Sequence, residues 1–394
     1  MTRIVSLAAR GDGVGEDGSF HANTAPGDVI LPDGRVEVGP HRVKPLCRHF
    51  GTCGGCQLQH VDEAAYADFL IERIKGALAA QGLSAPPFGV PQISPPKSRR
   101  RVSLAAERKG KMVRIGFNEA GSHNLLDLAE CPVMHPKLFA LIGPLRGVLG
   151  SLLPERRRAN VRMTLSDQGI DLLLSGIEVE GLAATESVTA FAGKHRLARL
   201  SLDEGYGATT RWEPEPVTIT LGGVPVALPE GSFLQATKEG EQALVAAVRA
   251  IVGSSATVID LFCGLGTFAF SLNASVHAIE GARDAVLAFQ GAANRADRAV
   301  SSEHRDLFRR PVTSQELGRF DAVILDPPRA GAKEQILEIA TSGVPCIAYV
   351  SCNPSTFARD AKVLIDAGYR LENIEPVGQF RWSTHVELAA SFRL

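Results

Sequence analysis

The pattern of apolar and polar residues is most regular in the C-terminal half of the chain. From about residue 216 onward, short apolar runs such as "TVIDLF", "SVHAIE", "FDAVILD" and "CIAYVS" alternate with segments of helical periodicity. Alternating strands and helices are typical of a parallel sheet covered by helices on both faces. The pattern therefore predicts an α/β fold of the Rossmann-like kind. Because ligands of such sheets bind at the carboxyl ends of the strands, we expect the chemistry there.

The N-terminal half follows a different pattern. Its first 45 residues are rich in Gly, Val and turn residues, which predicts a few short strands joined by turns. Farther on, alternating strand patterns mix with fewer helices. We therefore predict three parts, which are a short β segment (1–45), a central α+β domain (46–213) and a C-terminal α/β domain (214–394).

Composition narrows the class of protein. The chain has 394 residues, of which 45% are hydrophobic and 22% are charged, as in an ordinary globular protein. No apolar run is long enough for a signal peptide or a membrane span, which predicts a cytoplasmic protein without a membrane partner. We also expect a monomer. Disulfides are rare in the cytoplasm, so the seven cysteines are expected to be ligands, nucleophiles or packing residues.

Positive charge is concentrated in two stretches, although the net charge is only −1. Between Lys97 and Arg114, eight residues are basic and one is acidic, and Arg156, Arg157 and Arg158 form a second cluster. Such stretches can neutralise the phosphates of a nucleic acid, but they can also be solvated surface. The charges alone leave both interpretations open.

A nucleotide-type site is predicted where the α/β pattern begins. The segment "VIDLFCGLGTFAF" (258–270) is a strand, a glycine-rich turn and a helix start. Glu280 ends the next strand, where a carboxylate can accept hydrogen bonds from ribose hydroxyls. Asp306 follows a third strand, where it can meet an adenine amino group, and Asp326 ends a fourth. The alternative is a strand-to-helix turn with a purely structural role.

Cys352 stands where a predicted strand ends, in "AYVSCNPST". Cysteine is usually a buried packing residue, and these nine residues alone favour that interpretation. The position at a strand end of an α/β fold favours an active-site role instead. Cys263 and Cys346 keep the packing interpretation.

Four further cysteines have the spacing of a metal site. Three of them lie in "CRHFGTCGGC" and the fourth follows 75 residues later; they are Cys47, Cys53, Cys56 and Cys131. Four thiolates suit a tetrahedral zinc ion or a [4Fe–4S] cluster, and the spacing does not decide between the two. With zinc, His49, His60 and His135 are additional candidate ligands.

Five segments together resemble the bacterial RNA uracil-5-methyltransferases, which make 5-methyluridine in rRNA and tRNA. They are "GSFLQATKEG", "DLFCGLGTF", "DPPRAG", "VSCNPSTFARD" and "HVELAASF". The resemblance covers the C-terminal half and extends into the cysteine-rich part. It implies a class I methyltransferase domain, S-adenosylmethionine as methyl donor, an RNA substrate and a [4Fe–4S] cluster on the four cysteines. It also favours phosphate binding by the basic stretches, and it makes residues 1–45 look like a reduced β-barrel RNA-binding module.

The resemblance also assigns roles to residues. It makes Cys352 the nucleophile that adds to carbon 6 of uracil and Glu387 the base that removes the proton of carbon 5. It places contacts to S-adenosylmethionine on six residues, which are Gln235, Phe262, Thr267, Glu280, Asp306 and Asp326. Thr267 and Asp306 stand where the family often has asparagine, and both can still form hydrogen bonds.

Three alternatives accompany this assignment. The tRNA branch of the family usually lacks the four cysteines, so 23S rRNA is the favoured substrate. Cytosine-5-methyltransferases carry their nucleophile in a Pro-Cys or Thr-Cys setting, unlike "SCNP" here. A non-catalytic RNA-binding assembly factor has no need of both Cys352 and Glu387.

Overall fold

Strand pairing assembles four sheets, of five, six, two and eight strands. The computed structural model describes all 394 residues, which form two compact units. The first unit comprises Met1–Tyr66, Pro95–Thr218 and Arg381–Thr384. The second comprises Ala67–Ser94, Ile219–Phe380 and His385–Leu394. Each unit is thus built from segments that are not consecutive in the chain. The three-part division at 45/46 and 213/214 stays a prediction.

The N-terminal strands are short, as the turn-rich sequence predicted. They are β1 (Thr2–Leu7), β2 (Gly13–Gly15), β3 (Phe20–His21), β4 (Val29–Ile30) and β5 (Val36–Glu37). They form an antiparallel sheet in the order β3-β2-β1-β4-β5. The buried carboxylate of Asp28 holds the end of this segment, because it accepts hydrogen bonds from the backbone N–H groups of Ala25 and Gly39 and pairs with Arg42.

The central part of the chain contains the next set of elements. They are α1 (Glu63–Ala79), β6 (Gln92–Ile93), β7 (Arg101–Lys109), β8 (Met112–Gly116), α2 (Pro136–Leu152), β9 (Arg158–Leu165), β10 (Ile170–Ser175), α3 (Gly181–Lys194), β11 (Arg199–Asp203) and β12 (Ala208–Trp212). Six of these strands form a sheet in the order β12-β11-β10-β9-β7-β8. Its apolar face, with Leu104, Val161 and Leu172, shares a buried core with Leu145 of α2 and Val188 of α3.

The rest of the chain alternates strands and helices, as predicted. Its elements are β13 (Thr218–Leu221), β14 (Val224–Ala227), α4 (Lys238–Val252), β15 (Thr257–Leu261), β16 (Ser275–Glu280), α5 (Arg283–Ala296), β17 (Val300–His304), α6 (Ser314–Leu317), β18 (Ala322–Leu325), α7 (Lys333–Ala340), β19 (Cys346–Ser351), α8 (Pro354–Asp366), β20 (Arg370–Gly378) and β21 (Glu387–Arg393).

The large sheet of the second unit has the order β17-β16-β15-β18-β19-β21-β20-β6. Strands β15 to β19 run parallel, whereas β21 runs antiparallel to both of its neighbours. Strands β18 and β19 are buried along their whole length, as is typical of parallel strands covered on both faces. The strand order reverses between β15 and β18, which places the ligand-binding crevice at their carboxyl ends. The α/β, Rossmann-like fold is confirmed.

No helix of this structure is both long enough and apolar enough to span a bilayer.

Candidate active site

The turn after β15 has a constrained backbone. Phe262 adopts a φ of 61°, which is unfavourable for a residue with a side chain, and Gly264 and Gly266 also have positive φ. A Cβ on Gly266 would lie 2.7 Å from the rings of Phe270 and Phe289, so only glycine fits there. Such strain is typical of ligand-binding turns. Thr267 lies in the same turn and is half-buried.

Two predicted cofactor residues stand beside this turn. Glu280, at the end of β16, accepts hydrogen bonds from the backbone N–H groups of Gly264 at 2.9 Å and Ala282 at 2.7 Å. Asp306, two residues beyond β17, is exposed and accepts a hydrogen bond from the backbone N–H of Phe308 at 3.0 Å. The ring of Phe308 lies 5.5 Å from that of Phe262. The structure thus brings Phe262, Glu280 and Asp306 to adjacent strand ends.

Asp260 is a member of this site to which the sequence assigned no role. Its side chain is fully buried; one carboxylate oxygen accepts a hydrogen bond from the N–H of Ala269 at 3.1 Å, and the other has no partner. Burial raises its pKa to about 8, and the negative charge of Glu280 acts in the same direction. In the sequence, Asp260 is marked only by its position near the end of a predicted strand. That one of its carboxylate oxygens has no partner could not be predicted from the sequence.

Strand register places Cys352 beside Glu387. Ser351, the last residue of β19, pairs with Leu388 of β21, so the next residue on one strand lies opposite the preceding residue on the other. Leu325 pairs with Tyr349, which sets Asp326 at the same end of the sheet. Three predicted site residues that lie up to 61 positions apart in the chain therefore meet at the carboxyl ends of β18 and β19.

Partial burial and the charges around Cys352 keep its thiol protonated. Desolvation raises its pKa to about 11, the negative charges of Glu387 and Asp326 add to this rise, and the Arg329 guanidinium opposes it. Burial likewise raises the pKa of Glu387 to about 7, against a hydrogen bond from Gln379 and the charge of Arg329. Desolvation by the surrounding protein, followed by the negative charges of Glu387 and Asp260, raises the pKa of the Asp326 carboxyl. The site therefore has a base poised near neutrality beside a protonated nucleophile.

Gln379 links two predicted site residues. Its amide donates to the side-chain oxygen of Gln235 at 2.8 Å, accepts from the backbone N–H of Ala236 at 2.8 Å, and also bonds to Glu387. Gln235 and Gln379 are both buried. The sequence carries no motif that marks Gln379, because its role follows from the position of β20 next to β21.

The loop after β18 is held against the start of α8. The backbone oxygen of Arg329 accepts hydrogen bonds from the amide of Asn353 at 3.0 Å and the hydroxyl of Thr356 at 3.2 Å. Asn353 also caps α8, accepting from the N–H of Ser355. The residues that follow Cys352 are thereby fixed to the "DPPRAG" loop.

Asp360 completes this connection from the interior. It is 1% exposed and accepts hydrogen bonds from the N–H of Ala332 at 2.9 Å and the hydroxyl of Tyr349 at 2.7 Å. Arg359 pairs with it at 2.7 Å and donates to the backbone oxygen of Ala330. A Cβ on Gly331, whose φ is 79°, would lie 2.7 Å from Asp360, so the loop must carry glycine here.

Arg329 supplies a positive charge at this acidic end of the sheet. A guanidinium nitrogen lies 3.2 Å from Nδ1 of His385, two residues before Glu387. In the sequence, Arg329 is marked only by its place in the "DPPRAG" motif, and His385 only by its place in "HVELAASF". Since Arg329 lowers the pKa of both Cys352 and Glu387, it stabilises their charged forms.

The four predicted metal ligands lie in the first unit as free thiols. Burial, together with the charges of Cys131, Cys53 and Cys47, raises the pKa of Cys56 to about 12. Thiols whose charges act on one another in this way lie close together in space. No group of three or more His, Cys, Asp or Glu side chains is arranged to hold a metal ion, so the iron–sulfur part of the predicted fold stays a prediction.

The histidines considered as zinc ligands each use a ring nitrogen elsewhere. Nε2 of His49 accepts from the N–H of Ala129 at 3.1 Å, and Nε2 of His60 lies 3.0 Å from the backbone oxygen of Thr24. Nδ1 of His135 accepts from the N–H of Lys137 and caps α2. These bonds occupy one ring nitrogen of each histidine and leave the second, so they do not decide between a set of thiolates alone and a mixed set of ligands.

Comparison with known proteins places the fold and the site in a class. The crystal structure of the Pyrococcus abyssi tRNA (uracil-54, C5)-methyltransferase with S-adenosyl-L-homocysteine matches the whole of both chains, with a TM-score of 0.75 and 22% identity. The fold is accordingly that of a Rossmann-like methyltransferase.

Sequence comparison identifies the family. A family model for tRNA (uracil-5-)-methyltransferases matches residues 292–392. An uncharacterized RNA methyltransferase of Zymomonas mobilis is 54% identical over 100% of this chain and 99% of its own length. The 23S rRNA (uracil(1939)-C(5))-methyltransferase RlmD of Pectobacterium atrosepticum is 33% identical, across 90% of this chain and 80% of its own. The chain belongs to the RNA uracil-5-methyltransferase family and is an enzyme of that class.

Loss of the Asp360 carboxylate should destabilise the protein markedly. We expect Asp360→Ala to lower the free energy of unfolding by about 3 kcal/mol, because it leaves Arg359 and two buried donors unpaired. Asp366→Ala on the same helix removes an exposed pair with Lys362 and should change it by less than about 0.5 kcal/mol. Urea unfolding measures both values, and equal effects of the two substitutions would contradict the assignment.

The contribution of Glu387 to the free energy of unfolding should fall as the pH rises. Its folded-state pKa of about 7 lies above the ordinary value of 4.5, so the stability that its proton contributes is complete below pH 4.5 and is lost as the pH rises through 7. Glu387→Gln should thus gain stability relative to the wild type between pH 5 and pH 8, by up to roughly 3 kcal/mol.

Urea unfolding at the two pH values tests this expectation, with Glu334→Gln, an exposed glutamate of α7, as the control. A gain that is independent of pH, or equal in the control, would show that burial does not perturb Glu387.

Proposed function

We propose that the protein transfers a methyl group from S-adenosylmethionine to carbon 5 of a uridine in 23S rRNA, through a covalent bond between Cys352 and the uracil ring. The observation that carries this proposal is the placement of Cys352 opposite Glu387 at the carboxyl ends of β18 and β19. A nucleophile and a base with a pKa near neutrality are the two groups that this reaction needs from the protein.

Each step of the reaction has a group in the site to perform it. The Cys352 sulfur adds to carbon 6, and the electron pair of the carbon 5–carbon 6 double bond becomes available at carbon 5. Bound S-adenosylmethionine supplies an electrophilic methyl group on a sulfonium, and that group ends on carbon 5 as the sulfonium becomes a thioether. Glu387 then takes the carbon 5 proton, the double bond re-forms, and the sulfur leaves carbon 6.

The thiol must lose its proton before it can add to the ring. With a pKa of about 11 in the ligand-free site, Cys352 is almost entirely protonated at neutral pH. Arg329 favours the thiolate, and the thiol proton passes to solvent, because Glu387 must be ionised when it later takes the proton of carbon 5. A sulfonium bound nearby adds a second positive charge, so methyl donor and thiolate stabilise each other.

The residues at the strand ends fit the methyl donor. Glu280 has lone pairs beyond the two that bind backbone N–H groups, and these can accept from ribose hydroxyls. The rings of Phe262 and Phe308, 5.5 Å apart, offer apolar surfaces for a base, and exposed Asp306 can accept from its amino group.

Support for rRNA as the substrate comes from one relative and from the four cysteines, which the tRNA branch of the family usually lacks. The RlmD relative named for 23S rRNA is 33% identical over 90% of this chain. The target uridine must leave its stack to reach Cys352, which favours an unpaired loop of the RNA.

We also propose that Cys47, Cys53, Cys56 and Cys131 hold a [4Fe–4S] cluster. Soft thiolates are its usual ligands, and the charges of the other three thiols act on Cys56. The cluster would join the loop containing three cysteines to the segment around Cys131. Backbone contacts already connect these regions, since the N–H of Gly54 donates to the oxygen of Asn118 and the N–H of Ala129 donates to His49.

Covalent trapping on fluorinated RNA tests the proposed reaction. Fluorine at carbon 5 leaves no proton for Glu387, so the methylated Cys352–uracil bond should persist. Purified, anaerobic protein with S-adenosylmethionine should therefore form a denaturation-resistant adduct with 5-fluorouridine-substituted 23S rRNA. Cys352→Ala should form none, and Cys346→Ala, at a buried cysteine of β19, should retain it.

Three outcomes of this experiment would overturn parts of the proposal. An adduct on fluorinated tRNA only would move the substrate to the tRNA branch. An adduct with Cys352→Ala would exclude Cys352 as the nucleophile. Absence of both adduct and methyl transfer on every RNA, with folded protein, would remove the catalytic proposal and leave RNA binding.

Metal analysis tests the proposed cluster. Protein reconstituted without oxygen should contain about four iron and four sulfide per chain. We expect Cys131→Ser to lose most of both, because a cluster needs all four thiolates, whereas Cys346→Ser should retain them. Stoichiometric zinc in place of iron, or iron unaffected by Cys131→Ser, would contradict the assignment.

A further inference from the structure

The six-stranded sheet of the first unit has a second face that points away from the shared core with α2 and α3. We call the outward side chains of β7, β8 and β9 the outer face. Successive residues of a strand point to opposite sides of a sheet. Val102 and Leu104 of β7 point to the core, so Arg101 and Ser103 belong to the outer face. The same alternation assigns Asn160 and Arg162 of β9.

Strand pairing brings the two basic stretches of the sequence together on this face. β7 lies in the first stretch and β9 begins with Arg158 of the second, and the two strands are antiparallel neighbours. Ser103 pairs with Arg162, and Glu107 pairs with Arg158. Residues separated by more than 50 positions in the chain thereby form one surface, which the sequence could not show.

Positive charge dominates the outer face. Its only acidic residue on the three strands is Glu107, and its basic residues are Arg101, Lys109, Arg114, Arg158 and Arg162. Glu107 binds Arg114 at 2.5 Å and lies 3.6 Å from Arg158, so its negative charge is already paired with two guanidinium groups. The three strands therefore place no acidic residue around Arg162, and Asp171 of the adjacent strand β10 is already paired with Arg199 at 2.7 Å.

Arg162 is the most available of these cations. Its side chain is exposed, and it forms no hydrogen bond or ion pair in the protein. Its neighbours Ser103 and Asn160 are also exposed, and their side chains likewise have no hydrogen-bond partner. Burial, followed by the charges of Arg99, Arg100 and Arg162, lowers the pKa of Arg101, which reflects the positive potential of this surface.

The chemistry of this face matches an anionic polymer. The large exposed apolar side chain on its three strands is Met112 of β8, whereas around Arg162 this face exposes guanidinium, hydroxyl and amide groups. These are the groups that bind phosphate oxygens in protein–nucleic acid complexes. Resting on the proposed function, we infer that the outer face, with Arg162 at its centre, binds the phosphodiester backbone of the RNA substrate.

The test compares charge changes at exposed positions in the full-length protein. Arg162→Glu should weaken binding to an in vitro transcript of 23S rRNA roughly 10-fold and reduce the salt dependence of binding by about one phosphate contact. Ser103→Lys, which adds a cation opposite Arg162, should strengthen binding. The control is Arg319→Glu, which reverses an exposed charge just before the amino end of β18, away from the ligand-binding strand ends.

Fluorescence anisotropy across a range of salt concentrations measures affinity, and methyl transfer measures activity on the same RNA. We expect Arg162→Glu to raise KM while kcat and the urea-unfolding midpoint stay unchanged. Equal affinity and salt dependence for Arg162→Glu, Arg319→Glu and the wild type would overturn the inference while leaving the proposed function intact. Failure of the wild type to methylate any RNA would instead count against the proposed function.

Discussion

The active site depends on the buried carboxylate of Asp360. Without it, the "DPPRAG" loop and the first turn of α8 would have only two side-chain bonds to the backbone oxygen of Arg329 between them. Asp360 adds bonds to Ala332 and Tyr349 and fixes Arg359, which reaches the oxygen of Ala330. Cys352 lies on one of the connected segments, and Asp326 and Arg329 lie on the other. The geometry of the nucleophile is thus set by a residue that never touches it.

This connection has an electrostatic consequence. It holds Cys352 in a partly buried position next to two carboxyl groups. Desolvation, followed by these negative charges, disfavours the thiolate and keeps the thiol protonated in the ligand-free protein. Burial brings the pKa of Glu387 to about 7, where it can exchange a proton at physiological pH. A protonated thiol is a weak nucleophile, so the ligand-free enzyme is protected from reaction with other electrophiles. The burial of Glu387 lowers the stability of the folded protein at high pH, but it provides a base that exchanges protons near neutral pH.

Much of the fold could be predicted because it follows from local patterns. Fully buried parallel strands read as continuous apolar runs, so β15, β18 and β19 were recognisable in the sequence. Other features depend on strand order and register, which sequence periodicity does not contain. The position of Gln379 against Gln235 and Glu387, the orphaned oxygen of Asp260, and the pairing of the two basic stretches on β7 and β9 belong to this group. The role of Arg329 was missed for the same reason, although its motif was noticed.

The most direct test of the account is the fate of the proton on carbon 5 of uridine. RNA labelled with tritium at that position, incubated with the protein and S-adenosylmethionine, should release one tritium for each methyl group transferred. The account predicts that Glu387→Gln transfers methyl without equivalent release and retains the RNA covalently. Methyl transfer by the wild type with full retention of tritium on carbon 5 would contradict it, because the methyl group would then have gone to another atom.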